Sequence, residues 1–442
     1  MKYSKVTLGV LLALGMQSRA QAADLIDIYH AAQSQDAVFA SARAAQQAGE
    51  EKLTQGRSLL LPSVNFNANT TSNDVTTNYG TVSPIFVSGN MRYNTHGYGV
   101  NLVQPLFREQ NWAAYNQSEL QVAISEAQFK LAEQDVILRS AQTYFDVLIA
   151  QDTVQLTAAQ KSAISEQLDQ AKRNFEVGTA TVTDTYEAQA RYDLIVAQEL
   201  ASASNLEIKR RTLQQLINTD VGELNMLSGA FKLEAPDPND AQKWVADSQQ
   251  GNFQVIQAQA AYQLAEQEVA RNRGANLPTV DLVASYGSST ATGGVFGAMD
   301  TRSTTIGVQL NMPLFQGGAI QSKWREAEAN REKAKQDMEN VRRNVELQTR
   351  QAYLGVVSGI AQVQALQQAL KSSASLLDAS KLGQEVGVRT NLDVLNAQQQ
   401  LFSTRRDLYQ AQYNYLVSQL RLKAAAGNLS EADLIGVNQS LH

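Results

Sequence analysis

Cysteine is absent from the 442-residue chain, and histidine occurs only at His30, His96 and His442. The first absence removes disulfides, thiolate zinc sites, a cysteine nucleophile and an acylated cysteine anchor; the second leaves too few imidazoles for a histidine-rich metal centre. No cofactor is expected. Positive charge is also scarce. The formal net charge is −6, and no basic stripe interrupts it, which disfavours nucleic acid and anionic headgroups as partners. Long apolar runs are missing beyond the N-terminus. An uncharged stretch unsurpassed in length there, between Arg350 and Lys371, carries Gln351, Gln362, Gln364, Gln367 and Gln368 and is too polar for a membrane helix. A composition of 43% hydrophobic and 18% charged residues excludes both a polytopic helical membrane protein and a highly charged disordered chain. If this chain enters a bilayer, it does so as strands.

Residues 1–22 read as a secretory signal: Lys2 and Lys5 precede the apolar stretch from Val6 to Met16, and the segment closes on Ala20-Gln21-Ala22. Export removes Lys2, Lys5 and Arg19, three positive charges, and takes the net charge from −6 to −9. The remainder repeats itself once. Leu61-Pro62-Ser63-Val64 recurs as Leu277-Pro278-Thr279-Val280, Gln104-Pro105-Leu106-Phe107 as Met312-Pro313-Leu314-Phe315, Tyr144 as Tyr353, and Val177-Gly178 as Val386-Gly387. This predicts a first structural repeat over 23–218, with strands about 63–77 and 92–104 and a long helix about 109–177. A linker, forming an equatorial segment, spans 219–250. A second repeat covers 251–426, with strands about 279–290 and 303–312 and a long helix about 318–386, and a C-terminal equatorial segment covers 427–442.

The strands rest on strict alternation. Val64, Phe66 and Ala68 alternate with Ser63, Asn65, Asn67 and Asn69, and Ile306, Val308, Leu310 and Met312 alternate with Thr305, Gly307, Gln309 and Asn311. Tyr98, Val100 and Leu102, and Val280, Leu282, Ala284 and Tyr286, repeat the pattern. Such strands, joined across Gly-, Asn-, Ser- and Thr-rich loops at 72–92 and 288–303, fit an outer-membrane barrel; the alternation alone also fits a soluble β-sandwich with one wet face. The helices favour the barrel. Each half carries a helical stretch of roughly 65 to 70 residues, about 100 Å long, which belongs in a coiled-coil-like array rather than a compact domain. Leu395, Phe402, Tyr409 and Leu416 fall every seven residues with Tyr413 and Leu420 beside them, and Leu120, Ala127 and Ala141 run beside Ile124, Leu131, Leu138 and Phe145 as packing seams. Residues 24–60 and 181–217 read as shorter helices. Four strands cannot close a barrel. Two copies would supply eight, with a filled interior, and three would supply twelve and leave a lumen. Because open edges are not tolerated in lipid, the chain must oligomerise to insert.

Together the Leu-Pro strand starts at Pro62 and Pro278, the Pro-Leu-Phe exits at Pro105 and Pro313, and the turns Val177-Gly178-Thr179 and Val386-Gly387-Val388-Arg389-Thr390 resemble the TolC family of outer-membrane channel proteins. Asn391-Leu392-Asp393-Val394-Leu395 and Ala411-Gln412-Tyr413-Asn414-Tyr415-Leu416 add to the likeness, which covers nearly the whole mature chain. The resemblance implies a membrane α+β fold: a homotrimeric outer-membrane β-barrel, four strands per protomer and twelve in all, continued by a long periplasmic α-helical barrel. It implies passive export through that duct, docked to a periplasmic adaptor protein and to an inner-membrane ABC or proton-driven transporter, in the outer membrane of a Gram-negative cell. It also implies a gate where the helix tips coil inward. The matching positions are Thr183, Asp184, Gln384 and Arg389, with Asp393 and Asn396 at the aperture ring and Val177, Gly178, Thr179, Val386, Gly387 and Val388 at the adaptor-contacting tips.

The residues also have a purely structural reading. Gly178 and Gly387 suit left-handed helix ends, and Thr181 to Asp184 and Thr390 to Asp393 are capping-box spacings, so both acids serve as helix N-terminal caps whether or not they gate. Two departures stand out. Where the family's best-known member has a Tyr this chain has Gln384, and where that member has a second Asp ring it has Asn396. The expected closed state is therefore held mainly by Arg389 with Asp184. Partly exposed pairs contribute roughly 0.2–1 kcal/mol each, so three copies give at most about 3 kcal/mol, weak enough for an adaptor to release. A single acidic ring implies cation preference with weak multivalent block. Trp112 and Trp324 occupy equivalent places after the strand exits, as membrane-interface aromatics or as packing at the strand-to-helix junction, and His96 reads as a polar lumen or rim residue. A competing function is a surface-exposed coiled-coil adhesin, which would carry strands only at a terminal anchor. An enzyme has no support: there is no Ser-His-Asp order, metal spacing or phosphate loop.

Overall fold

The computed structural model describes residues 23–80, 88–227 and 232–441; the signal expected over 1–22 lies outside them, as does His442. The chain runs α1 (Leu25–Gln35), α2 (Ala37–Ser58), β1 (Ser63–Thr77), β2 (Gly89–Phe107), α3 (Glu109–Glu176), α4 (Val182–Ile217), α5 (Ala241–Gly251), α6 (Phe253–Gly274), β3 (Thr279–Ala291), β4 (Met299–Asn311), α7 (Ala319–Glu385), α8 (Asn391–Ala426) and α9 (Glu431–Asn438). Among the described residues, one compact unit gathers the stretch up to Ala40 with Glu133–Trp244 and the chain from Arg350 onward; the other holds Ser41–Ala132 and Val245–Thr349. Each unit draws on both sequence repeats, because a strand from one repeat pairs with a strand from the other.

The second unit is built on that pairing. Its sheet is antiparallel in the order β1-β2-β3-β4. Opposed residues share a face, so the register sorts the side chains. Val64 lies across from Leu102, then Ala284, then Ile306, and Phe66 across from Val100, then Tyr286, then Thr304. The alternate rows run Asn65, Asn101, Ser285, Thr305 and Asn67, Gly99, Gly287, Ser303. One face is apolar and the other small and polar. Among the described residues nothing covers the apolar side: Phe66 is 69% exposed and Ile306 74%. Both hairpins extend further than the loop-like composition suggests, since pairing continues unbroken to Thr77–Gly89 and Ala291–Met299; the Thr residues there are β-branched and suit a strand. β2 also runs through Pro105 to Phe107, with a register irregularity where the proline cannot donate. His96 falls in the Tyr98 and Val100 row, not the small polar one, near the loop end of the sheet, and shares a hydrogen bond of 2.8 Å with Thr70.

Helices anchor this sheet through specific ties. At the β2-to-α3 junction Arg108 grips the nearly buried Asp281 of β3 in a two-pronged pair of 2.8 and 2.5 Å, the geometry that makes arginine–carboxylate pairs directional. Gly56 and Gly49 of α2 lie against Ser118 and Ser125 of α3, so close that a Cβ at either would collide with the serine side chain. Trp112, in the first turn of α3, and Trp324, in the second turn of α7, stay 51% and 38% exposed.

The first unit is helical. An unbroken helix over 24–60 is expected, but the chain breaks at Asp36, whose backbone is extended. Its buried carboxylate accepts the amides of Val38 and Phe39 to start α2 and an Arg139 guanidinium NH at 2.6 Å from α3. That break has a local mark, an aspartate in N-cap position before α2, and a distant arginine reinforces it. Ala23 bridges to Leu224 and Leu227 to Leu441, and Asn438 binds both the Leu25 amide and Asp24, so both chain ends meet the inter-repeat linker. Tyr144 and Phe145 are fully buried; the Tyr144 hydroxyl donates to the Asn225 carbonyl at 2.7 Å, and the Phe145 ring leans on Tyr413. Tyr413 in turn donates to the buried carboxylate of Asp152 at 2.8 Å. Burial pushes the Asp152 carboxyl above its ordinary value and the tyrosine bond partly offsets this.

Tyr413→Phe leaves Asp152 buried without its donor and is expected to destabilise the helical unit by about 1–3 kcal/mol, read as a lower thermal midpoint by circular dichroism. A raised folded pKa adds stability at low pH that disappears as pH rises through it. The midpoint of wild type relative to Asp152→Asn should therefore fall with rising pH above the carboxylate's ordinary value of 3.8, and a flat difference would contradict the assignment.

Candidate functional site

Two helical hairpins, α3 with α4 and α7 with α8, end in turns built alike. At the first, Gly178 has φ 77°, the Thr179 amide bonds the Asn174 carbonyl at 2.8 Å, and the Gly178 amide bonds that of Phe175 at 3.0 Å. At the second, Gly387 has φ 77°, Val388 bonds Gly383 at 2.8 Å, and Gly387 bonds Gln384 at 3.0 Å. Both are Schellman ends, which need a residue at positive φ and therefore favour glycine. The returning helices then begin with capping boxes. Thr181 receives the Asp184 amide while Asp184 Oδ2 accepts from the Thr181 amide at 2.8 Å and hydroxyl at 2.7 Å; Thr390 and Asp393 repeat this at 2.9 and 2.8 Å. These bonds hold both carboxyls below the usual range, Asp184 through Thr181, and Asp393 through Thr390 with help from Arg389.

Each cap uses one carboxylate oxygen. Asp184 Oδ1 has no partner among the described residues, and Asp393 Oδ1 has only Arg389 Nη1 at 3.9 Å. Among the described residues no ion pair joins Arg389 to Asp184; within the single chain Arg389 leans toward its own hairpin, its stem lying over Gly383, where a Cβ would come within 2.6 Å of it. Gln384 donates to Asn391 Oδ1 at 3.3 Å, and Thr183 is exposed beside Asp184. The extreme tips are apolar and open: Val177 is 73% exposed, Val386 65% and Val388 77%.

Behind the tips the two hairpins meet. Leu395 of α8 packs with Ile164 of α3 and Ile195 of α4, with Tyr192 against them, and Leu168, Ala171 and Ala188 form a second cluster nearer the turn. A polar contact absent from the sequence expectations accompanies this packing. Arg191 of α4 donates from Nη1 to Gln399 Oε1 at 2.5 Å and from Nη2 to Asn396 Oδ1 at 2.6 Å, both on α8. Asn396 is thus held by Arg191 across the hairpins. No local motif marks this contact; it depends on how α4 and α8 pack.

Residues 28–219 and 244–428 match the family described as "Outer membrane efflux protein". The chain is similar to the outer membrane protein TolC of Escherichia coli (strain K12), 32% identical over 100% of this chain and 89% of that protein. It is likewise similar to the alkaline protease secretion protein AprF of Pseudomonas aeruginosa, 32% identical over 96% of this chain and 89% of that one. In fold it resembles the Campylobacter jejuni CmeC outer membrane channel, with a TM-score of 0.80 and 16% identity over 100% of this chain and 98% of that one.

Thr181→Ala and Thr390→Ala should each cost the tip about 0.5–2 kcal/mol, seen as faster amide exchange in the first turn of α4 or α8 while the Tyr144 core keeps its protection. Because both aspartates have lowered pKa values, their capping is present above the ordinary carboxylate value and lost as pH falls through the folded one. Tip exchange that ignores both substitutions and acid pH would contradict this account.

Proposed function

Since this chain belongs to the outer membrane efflux protein family, we propose that it is the outer-membrane exit duct of a tripartite efflux or type I secretion system, passing substrate passively outward. The observation that carries the reading is the sheet: four strands, apolar and uncovered on one side, lined with Asn, Ser and Gly on the other, and unpaired at β1 and β4. In hydrocarbon such edges must be satisfied by further strands. Three copies give twelve strands, apolar outward and polar inward, around a water-filled lumen. The long helices then extend the passage through the periplasm. Strands lie within each half and join in one sheet, an arrangement an adhesin with a terminal anchor would not have.

On this reading the exposed Val177, Val386 and Val388, set out by Gly178, Thr179 and Gly387, receive a periplasmic adaptor, which couples the duct to an ABC or proton-driven transporter in the inner membrane. The gate lies just behind. Capping and gating coexist because they use different oxygens: Oδ2 of Asp184 closes the capping box, and Oδ1 is left for Arg389 of the other hairpin or of a neighbouring copy. Thr183 and Gln384 flank that tie, and Asp393 rings the aperture. Weak, solvated ties of this kind suit a gate that a docking partner opens.

Purified full-length protein should give discrete conductance steps in planar bilayers. Arg389→Ser should enlarge the step by loosening the closed tips; an unchanged step counts against the gate. Asp393→Asn should abolish block by multivalent cations, whereas intact block would place its site elsewhere.

A further inference from the structure

Arg191 differs from Arg389 in what it faces. Its guanidinium, always protonated at physiological pH, is held at 2.5 and 2.6 Å by Gln399 and Asn396, two neutral amides. No carboxylate lies within ion-pair distance of it among the described residues. Glu187, one turn back on α4, is not engaged with it, and the other α4 acids have their own partners: Asp193 accepts from Gln189 at 2.9 Å, Asp184 caps its helix, Glu199 pairs with Lys161 and Glu207 with Arg211. Arg389, by contrast, sits beside Asp393. Arg191 therefore presents an unneutralised positive charge, fixed in direction by two donors used at once. Asn396 is three residues along α8 from Asp393, so the two stand on the same face one turn apart.

We propose that Arg191 sets the ion selectivity of the aperture, by placing a fixed guanidinium one helical turn from each Asp393 carboxylate. The inference rests on the exit-duct reading and on Asp393 standing at the constriction. In a threefold assembly, three carboxylates and three guanidiniums then line adjacent levels. Their opposed fields largely cancel along the passage, so the aperture discriminates weakly by charge and admits anionic cargo that a carboxylate ring alone would repel. The amide at position 396 is part of the device: a carboxylate there would neutralise Arg191 directly.

The test is the reversal potential of the full-length protein in planar bilayers under a potassium chloride gradient. Arg191→Gln keeps a hydrogen-bonding side chain but removes the charge, and it should raise the cation-over-anion permeability ratio roughly twofold or more. Asn396→Asp should shift it the same way. Arg191→Lys keeps the charge and loses the planar fork, and it should stay near wild type, which a purely structural clasp between α4 and α8 would not predict. Conducting channels whose reversal potential ignores both Arg191→Gln and Asn396→Asp overturn the inference alone. A wild-type protein that passes no ions overturns the exit-duct reading and this inference with it.

Discussion

The backbone of an edge strand carries a row of N–H and C=O groups that must find partners, and in hydrocarbon each one left alone costs several kcal/mol. β1 and β4 present two such rows on a four-stranded sheet. Water would tolerate them. The uncovered Phe66, Val100, Ile306 and Val308 make the sheet's outer face suited to lipid instead, and that combination forces other strands against both edges. Internal duplication meets half of the requirement by pairing β2 with β3 across the repeats. Further copies must meet the rest.

The same duplication explains why the helix tips come as twins. Each repeat ends its long helix on a glycine at positive φ and starts the returning one on a Thr–Asp capping box, so two equivalent turns stand at the end of one unit. Equivalence stops at the side chains. Gly383 gives Arg389 room to lie across the second turn, while Asn174 occupies that place in the first. Arg191 binds Asn396 and Gln399, and among the described residues no counterpart runs from α8 to α4. A symmetric scaffold thus carries an asymmetric set of charges.

Much of this is legible in the sequence because its determinants are local. Gly178 and Gly387 mark helix ends through a backbone conformation few residues adopt, Pro62 and Pro278 mark strand starts through a restricted preceding residue, and alternation assigns the faces of every strand. Extents are harder to read. The end of β1 near Thr77 is expected from sequence although the segment from Ser72 is also loop-like in composition, whereas only the cross-strand register shows that β2 begins as early as Gly89 and β4 as early as Met299. Contacts between distant elements leave no trace in spacing. The tie between Asp36 and Arg139 and the hold of Arg191 on Asn396 are of this kind; in both cases an arginine on one helix meets an acceptor far along the chain. The intrachain partner of Arg389, Asp393, is legible from its i,i+4 spacing.

The shared barrel is tested most directly at its seams. Because the chain contains no cysteine, a single pair of substitutions such as Ala68→Cys on β1 and Thr304→Cys on β4 introduces the only thiols present. A short bifunctional thiol crosslinker applied to the protein in outer membranes should yield a ladder that ends at a covalent trimer. A ladder that stops at the monomer, or one that continues past three copies, would contradict a closed ring of twelve strands.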